Sequence, residues 1–205
     1  MRDKIQELLP NGKHTLQEAD YPEIHIVDWK DTDSTRGVEI FDQKQGGINS
    51  VSLINDNGLN IVIDIFGENA LPICAGDQVS QCECISFPLD YRDNSWILAI
   101  ETKYANDEDA AFRIRENEVN YPEKMVSQII STIEYFRDKN IIDSNRIVHA
   151  IISFPNLIAD FNSQLFSFVR DEWSIENLLV SKRIRIKGCN SANIKSTKRI
   201  TFITD

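Results

Sequence analysis

Residues 96–104 read "WILAIETKY", an apolar run that ends in a glutamate, a threonine and a lysine. An apolar run of this length, followed by polar residues, predicts a buried strand. Side chains two residues apart on a strand project from the same face, so Glu101 and Lys103 should lie side by side. The pair is either an ion pair at the rim of a sheet or one half of a metal-dependent site.

The segment before this strand predicts its partner. Residues 81–87, "QCECISF", also read as a strand, and the turn-rich "PLDYRDNS" at 88–95 joins the two. We therefore expect an antiparallel hairpin. Folding the chain about this turn places Glu83 opposite Glu101, whereas a slip of one residue would place Cys82 there instead.

The segment after this strand predicts a helix and a further strand. Apolar side chains repeat at helical spacing over residues 122–139, with Asn120 as a cap and Pro122 in the first turn. Residues 146–154, "RIVHAIISF", are rich in β-branched side chains and read as a strand. Because a strand–helix–strand crossover of this length normally joins parallel strands, we expect an α/β fold with a mixed sheet.

The remaining segments extend this sheet at both ends. Residues 3–9 read as a short helix, and residues 156–179 as partly helical. The turn signal "NDNG" at 55–58 predicts a hairpin between its flanking strands. The basic segments 181–188 and 196–203 predict a C-terminal β-hairpin. Extra N-terminal strands are predicted at "EIHIVDW" (23–29), "GVEIFD" (37–42), "INSVSLI" (48–54) and "LNIVIDIF" (59–66).

Length and composition predict a single domain over residues 1–205, since 41% of the side chains are hydrophobic. We divide it into N-terminal elements (1–77), a core (78–155) and a C-terminal part (156–205). No apolar run approaches the roughly 20 residues of a membrane span, and the first residues lack the apolar stretch of a secretory signal. We therefore expect a cytoplasmic protein with no membrane partner.

The charge is unevenly distributed. The formal net charge is -10, yet residues 182–204 carry seven basic side chains and no acid, while residues 1–181 carry 15 basic and 31 acidic ones. This pattern predicts either a cationic ribbon that contacts nucleic acid or a tail that pairs with the acidic body. The ribbon would consist of Lys182, Arg183, Arg185, Lys187, Lys195, Lys198 and Arg199.

The succession of strand, turn, strand ending in Glu-x-Lys, helix and parallel strand resembles the core of the PD-(D/E)xK nuclease superfamily. The resemblance covers roughly residues 78–155. It implies a restriction endonuclease-like core, in which a helix and three antiparallel strands are followed by a helix and a strand. It also implies a Mg²⁺-dependent (or Mn²⁺-dependent) nuclease that hydrolyses phosphodiester bonds in nucleic acid.

The resemblance also implies roles for single residues. The carboxylates of Glu83 and Glu101 and the backbone carbonyl of Thr102 would hold the metal, and Lys103 would assist the attacking water. Carboxylate oxygens suit Mg²⁺, and a bound metal lowers the pKa of a coordinated water. The chain could act as a homodimer or with a partner subunit.

Several assignments stay open at this point. Asp77 and Asp90 also precede Glu101 and are alternatives to Glu83, although Asp90 lies in the predicted turn. The acid that the family places on its first helix would be Glu7 or Glu68, or is absent here. Gln128 is similar to a glutamine that some members use near the substrate. Two further acid-x-Lys stretches, "DWK" at 28–30 and "DQK" at 42–44, compete with residues 101–103.

Two other hypotheses remain beside the nuclease. The first is a non-catalytic interaction protein that retains a degenerate nuclease-like fold. The second is a thiolate–metal module built on Cys74, Cys82 and Cys84, for which the alternative is that the cysteines are small core side chains. Alternation on a strand would place Cys82 and Cys84 on one face. The three histidines show no metal-ligand spacing, and no serine-hydrolase or phosphate-loop motif occurs.

Overall fold

The computed structural model describes residues 1–9, 12–30, 32–74, 77–113, 119–157 and 160–203. It is a mixed α+β structure with two mixed sheets and a small two-stranded ribbon. The helices are α1 (Arg2–Leu8), α2 (Glu108–Phe112), α3 (Tyr121–Asp138), α4 (Asn162–Ser167) and α5 (Ile175–Ser181). The strands are β1 (His14–Ala19), β2 (Glu23–Asp28), β3 (Val38–Phe41), β4 (Val51–Ile54), β5 (Ile61–Phe66), β6 (Pro72–Cys74), β7 (Asp77–Gln78), β8 (Cys84–Pro88), β9 (Leu98–Thr102), β10 (Val148–Ser153), β11 (Ile184–Gly188), β12 (Ser191–Ser196) and β13 (Arg199–Ile203).

The larger sheet has six strands in the order β1-β5-β8-β9-β10-β11. Neighbours from β1 to β9 are antiparallel, whereas β10 is parallel to both β9 and β11. The predicted parallel crossover from β9 to β10 is therefore confirmed. Its helix, α3, begins as predicted, because the Asn120 side chain accepts a hydrogen bond from the backbone N–H of Glu123 at 2.8 Å.

The hairpin of β8 and β9 has the predicted register, with Ile85 as the Cα partner of Ala99. Alternating side chains of these strands enter two different cores. Odd-numbered residues such as Ile97 and Ala99 pack with α3 in a helix-covered core. Even-numbered residues such as Leu98 and Ile100 pack in a second core between the two sheets.

The second sheet has five strands in the order β13-β12-β4-β2-β3, with β12 parallel to β4 and the other neighbours antiparallel. It covers the face of the six-stranded sheet that the helices leave open, since residues of both sheets share the second core. This second layer was not predicted. No helix in the described part of the chain is long and apolar enough to span a membrane.

The hairpin predicted at "NDNG" is wrong. β4 lies in the five-stranded sheet and β5 in the six-stranded sheet, so the turn carries the chain from one layer to the other. All six residues of β5 are buried, because this strand is covered on both faces. The buried Asn55 side chain fixes the crossing: it donates to the carbonyls of Tyr21 and Leu59 and accepts from the N–H of Leu59.

The C-terminal hairpin is also wrong as predicted. β11 is the edge strand of the six-stranded sheet, and the hairpin at the C-terminus is formed by β12 and β13 in the other sheet. Ile184 and Ile186 hold β11 in place because they enter the helix-covered core. At Gly188 the backbone N–H donates to Asn162, and an added Cβ would lie only 3.1 Å from the Asn162 Cα.

Candidate active site

Glu101 lies near the carboxyl end of β9, where its Cα partner on β10 is Ile152. Strand alternation directs its side chain to the helix-covered side of the sheet, the side that Ala99 occupies. The residue is only 4% exposed. Its Oε2 atom is buried and has no hydrogen-bond partner among the described residues. A buried carboxylate oxygen without a hydrogen-bond partner lowers the stability of the fold, so Glu101 is a candidate functional residue.

Other acids surround Glu101. Burial, the charge of Glu83 and the charge of Asp28, in decreasing order, raise the pKa of Glu101 well above its usual value. Interaction with the Glu83 backbone and the charge of Lys124 on α3 act in the opposite direction. The charge of Glu83 therefore acts on Glu101, and Asp28 adds a second negative charge from the other sheet.

The segment that carries Glu83 is anchored by α3. The Gln128 side chain donates to the carbonyl of Gln81 at 2.8 Å, and the N–H of Cys82 donates to Thr132 Oγ1 at 2.9 Å. Gln128 thus positions the start of β8. Just beyond the ladder, the N–H of Glu83 donates to the carbonyl of Ile100 at 3.0 Å. The ladder pairs Ile100 with Cys84 instead, so the register is irregular at this point.

Lys103 follows the end of β9. Its backbone N–H donates to the carbonyl of Ser153 at 2.9 Å, which continues the parallel ladder with β10. Its Nζ lies 5.4 Å from the centre of the Tyr121 ring, at the start of α3. The side chain is half-buried. Thr102, between Glu101 and Lys103, is buried and is the Cα partner of Ser153.

Glu83 and Glu101 supply donor atoms that suit a divalent ion. The unpartnered Oε2 of Glu101 and the nearby Glu83 are oxygen donors of the kind that Mg²⁺ and Mn²⁺ prefer. Within the described ranges, no three His, Cys, Asp or Glu side chains are grouped closely enough to hold a metal. Mg²⁺ commonly binds through one or two carboxylates and keeps several waters, and the carboxylates available here are those of Glu83 and Glu101.

The structure separates the other candidate acids from this site. Asp90 is exposed in the turn between β8 and β9 and pairs with Arg92 at 2.9 Å. Glu7 on α1 and Glu68 after β5 are exposed, and neither contributes to the raised pKa of Glu101. The side chain of Asp77, like that of Cys74, lies outside the described residues.

Asp28 is the acid whose role the sequence did not predict. It ends β2 in the five-stranded sheet and is buried, and its Oδ1 accepts from the backbone N–H of Lys30 at 3.0 Å. The charge of Asp28 in the "DWK" stretch therefore acts on the pKa of Glu101. The only signal in the sequence was its position after a buried strand. Asp42 and Lys44 of "DQK" are exposed.

The predicted cationic ribbon is split by the fold. Lys182 pairs with Glu134 on α3. Arg185 is the Cα partner of His149, near the amino end of β10, whereas Glu101 pairs three residues further along that strand. Lys195, Lys198 and Arg199 are exposed on the β12–β13 hairpin of the other sheet. The cations therefore do not form one surface next to Glu101.

Two cysteines of the thiolate–metal hypothesis, Cys82 and Cys84, do not share a face. Cys82 packs in the helix-covered core and Cys84 in the core between the sheets, because the strand is irregular at Glu83. Burial raises the pKa of both thiols, which disfavours the thiolate that a metal requires. Cys82, Cys84 and Cys189 are buried free thiols and act as core side chains.

Comparison with known proteins adds no relative: no family model matches the sequence, and neither the curated proteins nor the solved structures contain a match.

Proposed function

We propose that the protein is a Mg²⁺- or Mn²⁺-dependent phosphodiesterase that cleaves nucleic acid, with Glu83, Glu101 and Lys103 as its active-site residues. The observation that carries the proposal is the buried, unpartnered Oε2 of Glu101 at the end of β9, with Glu83 in electrostatic reach. An ionisable group with a strongly shifted pKa beside a like charge is a candidate functional site. A bound cation would compensate both carboxylates.

The topology supports the same proposal. The strands β5, β8 and β9 are consecutive antiparallel neighbours, α3 follows, and β10 returns parallel to β9. The resemblance to PD-(D/E)xK nucleases implies a similar succession of three antiparallel strands, a helix and a parallel strand, although β6, β7 and α2 are inserted here. The acid-x-lysine stretch stands at the end of the third of these strands, where that family places it.

The residues have distinct roles in this proposal. A divalent ion bound here would polarise the phosphate and lower the pKa of a coordinated water. Glu101 and Glu83 would hold the ion, and the carbonyl of Thr102 would be a further ligand. Lys103 would orient the water with its ammonium group.

The test is cleavage of DNA and RNA with Mg²⁺ or Mn²⁺ by the wild type and by Glu101→Ala and Lys103→Ala. Asp90→Ala is the matched control, since Asp90 is an exposed acid in the adjacent turn. We expect both site variants to lose at least about 100-fold in rate, a usual contribution of a group that assists proton transfer. The control should keep full activity. Equal rates in all four proteins, or no cleavage by the wild type with either metal, would contradict the proposal.

A second candidate function is a non-catalytic interaction protein with the same fold. It is favoured by the lack of a three-ligand group in the described part of the chain and by the raised pKa of Glu101. Calorimetric titration with Mn²⁺ separates the two functions. Binding by the wild type that Glu101→Gln abolishes supports the enzyme, and no binding by the wild type supports the interaction protein.

A further inference from the structure

A cationic pocket of about 340 Å³ opens at the opposite end of the six-stranded sheet from Glu101. We define it by four side chains: Arg146, His149, Arg185 and Lys198. They come from the loop before β10, from β10, from β11 and from the turn between β12 and β13. The remaining wall is formed by Asn94, Ser95, Trp96, Asn145 and Ile147.

Backbone pairing fixes the floor of the pocket. His149 and Arg185 are Cα partners on the parallel strands β10 and β11, so their side chains lie next to each other. They point away from the helix-covered core that Ile184 and Ile186 fill. The His149 ring also packs on Phe202 of β13, with 5.9 Å between ring centres.

The rim of the pocket is held by separate contacts. Trp96 Nε1 donates to the carbonyl of Ser196 at 2.8 Å, which fastens the β12–β13 hairpin to the start of β9. Lys198 occupies the turn of that hairpin. The carbonyl of Arg146 accepts from the guanidinium group of Arg137 at 2.9 Å, which fixes the backbone there. Cations from both sheets are thus held around one space.

Among the described residues, the cations of this pocket have no acidic partner. Arg146, Arg185 and Lys198 form no ion pair in these ranges, whereas Arg92 and Lys182 do. Asp93 and Asp143 act together with Arg146 on the pKa of Tyr91. The carboxylate of Asp143 accepts from the backbone N–H of Asn145 at 2.8 Å and belongs to that turn.

Two buried nitrogen atoms of the pocket have no hydrogen-bond partner among the described residues: Arg146 Nε and His149 Nδ1. Unpaired buried donors are costly, and a set of converging cations repels itself. An anion in the pocket would remove both costs. Glu101 Oε2 is likewise a buried polar atom without a partner among the described residues, but the charges that surround it are mainly negative.

We propose that this cationic pocket binds a terminal phosphate group, carried either by a mononucleotide or by the end of a nucleic-acid strand. Three cations suit a phosphate monoester, which is a dianion near neutral pH, better than a singly charged diester. Arginine forks match phosphate oxygens, and the space admits a phosphate with part of its sugar. The proposal does not rest on the metal-dependent reaction.

The test is binding of inorganic phosphate, a mononucleotide, and oligonucleotides with a 5′-phosphate or a 5′-hydroxyl, measured by calorimetry or anisotropy without divalent ions. We expect Arg185→Gln and Lys198→Gln to weaken phosphate binding about tenfold each, the effect of losing one charge-assisted contact. Arg92→Gln is the matched control, because Arg92 is exposed and already paired with Asp90. Glu101→Ala should bind phosphate like the wild type.

The outcomes separate the sources of the phosphate. Preference for the 5′-phosphorylated strand over its 5′-hydroxyl form indicates a strand end, and binding of the mononucleotide without such a preference indicates a small molecule. Thermal melts of each variant show whether it is folded, and both Arg185 and Lys198 are exposed enough to be replaced. No binding by the wild type, or equal binding by Arg185→Gln and Lys198→Gln, overturns the proposal.

Discussion

The two ends of the six-stranded sheet gather charged side chains of opposite sign. At the carboxyl end of β9, burial and like charges raise the pKa of Glu101. At the amino end of β10, burial and the charges of Arg185 and Arg146 lower the pKa of His149 to about 4. Among the described residues, one buried oxygen at the first end (Glu101 Oε2) and two buried nitrogens at the second (Arg146 Nε and His149 Nδ1) have no hydrogen-bond partner. The fold thus gathers charges of like sign at both ends of the sheet, and our two proposals place a ligand of the opposite charge at each.

We expect the largest effect from a substitution next to Glu101, at the carboxyl end of β9. Glu83→Gln removes the charge next to Glu101, so the pKa of Glu101 should fall towards its usual value. The variant also loses a proposed metal ligand, so we expect the rate of nucleic-acid cleavage to drop about 100-fold or more. Because a like charge next to Glu101 is removed, the unfolding free energy at pH 8 should rise. Cleavage assays and urea unfolding measure the two effects. Unchanged cleavage would show that Glu83 does not hold the metal.

The cationic end should show its own pH dependence. Since the pKa of His149 is about 4 in the folded protein and near 6.5 when unfolded, the unfolded chain binds more protons between these values. The unfolding free energy should therefore fall as the pH drops through this window, by at most about 3 kcal/mol from this group. His149→Gln should remove that slope in urea unfolding series. Sulfate should reduce the slope in the wild type, and an identical slope in wild type and variant would be the contrary result.

Asp64 differs from Glu101 because it is a buried acid that has a partner inside the fold. Asp64 on β5 is fully buried and pairs with His14 Nδ1 at 2.7 Å. Burial raises the pKa of Asp64 to about 6 in spite of this partner. Because the folded state keeps its proton longer than the unfolded state, the unfolding free energy should fall as the pH rises from about 4 to about 6, by about 3 kcal/mol. Asp64→Asn should flatten this part of the stability curve, whereas a slope that persists would assign it to other groups.

The smallest effect is expected at a cation that already has its partner. Lys182 was predicted to contact nucleic acid, but it pairs with Glu134 on the protein surface. Lys182→Ala should lower the unfolding free energy by less than about 1 kcal/mol, as is usual for exposed ion pairs. Phosphate binding should not change. A loss of phosphate binding as large as that of Arg185→Gln would mean that Lys182 also contributes to the pocket.

Local signals predicted the elements around Glu101 well. The turn at 88–95 and the alternation of its strands fixed the β8–β9 register, and the Asn120 cap fixed the start of α3. Signals failed where the chain changes layer. A tight turn such as "NDNG" has the same local sequence whether it closes a hairpin or leads to another sheet, and only the burial of β5 on both faces decides.

One part of the candidate site follows from a local pattern. Glu83 and Glu101 belong to one predicted hairpin, and the charge of Glu83 contributes to the raised pKa of Glu101. Asp28 reaches the site from another sheet, and no pattern in residues 23–30 indicates how two sheets will pack. The cationic pocket likewise combines Arg185 and Lys198, which the sequence placed on one ribbon, with Arg146 and His149 from a different region.

The repeated passage of the chain between layers bears on how the protein can be dissected. The chain crosses from the six-stranded to the five-stranded sheet after β1, returns at Asn55, and crosses again after Gly188. A fragment cut at residues 78–155 would keep β8, β9, α3 and β10 but would lose the flanking strands β1, β5 and β11 and the whole opposing sheet. The apolar side chains that face the opposing sheet would then be exposed to solvent, so biochemical work on this segment requires the intact chain.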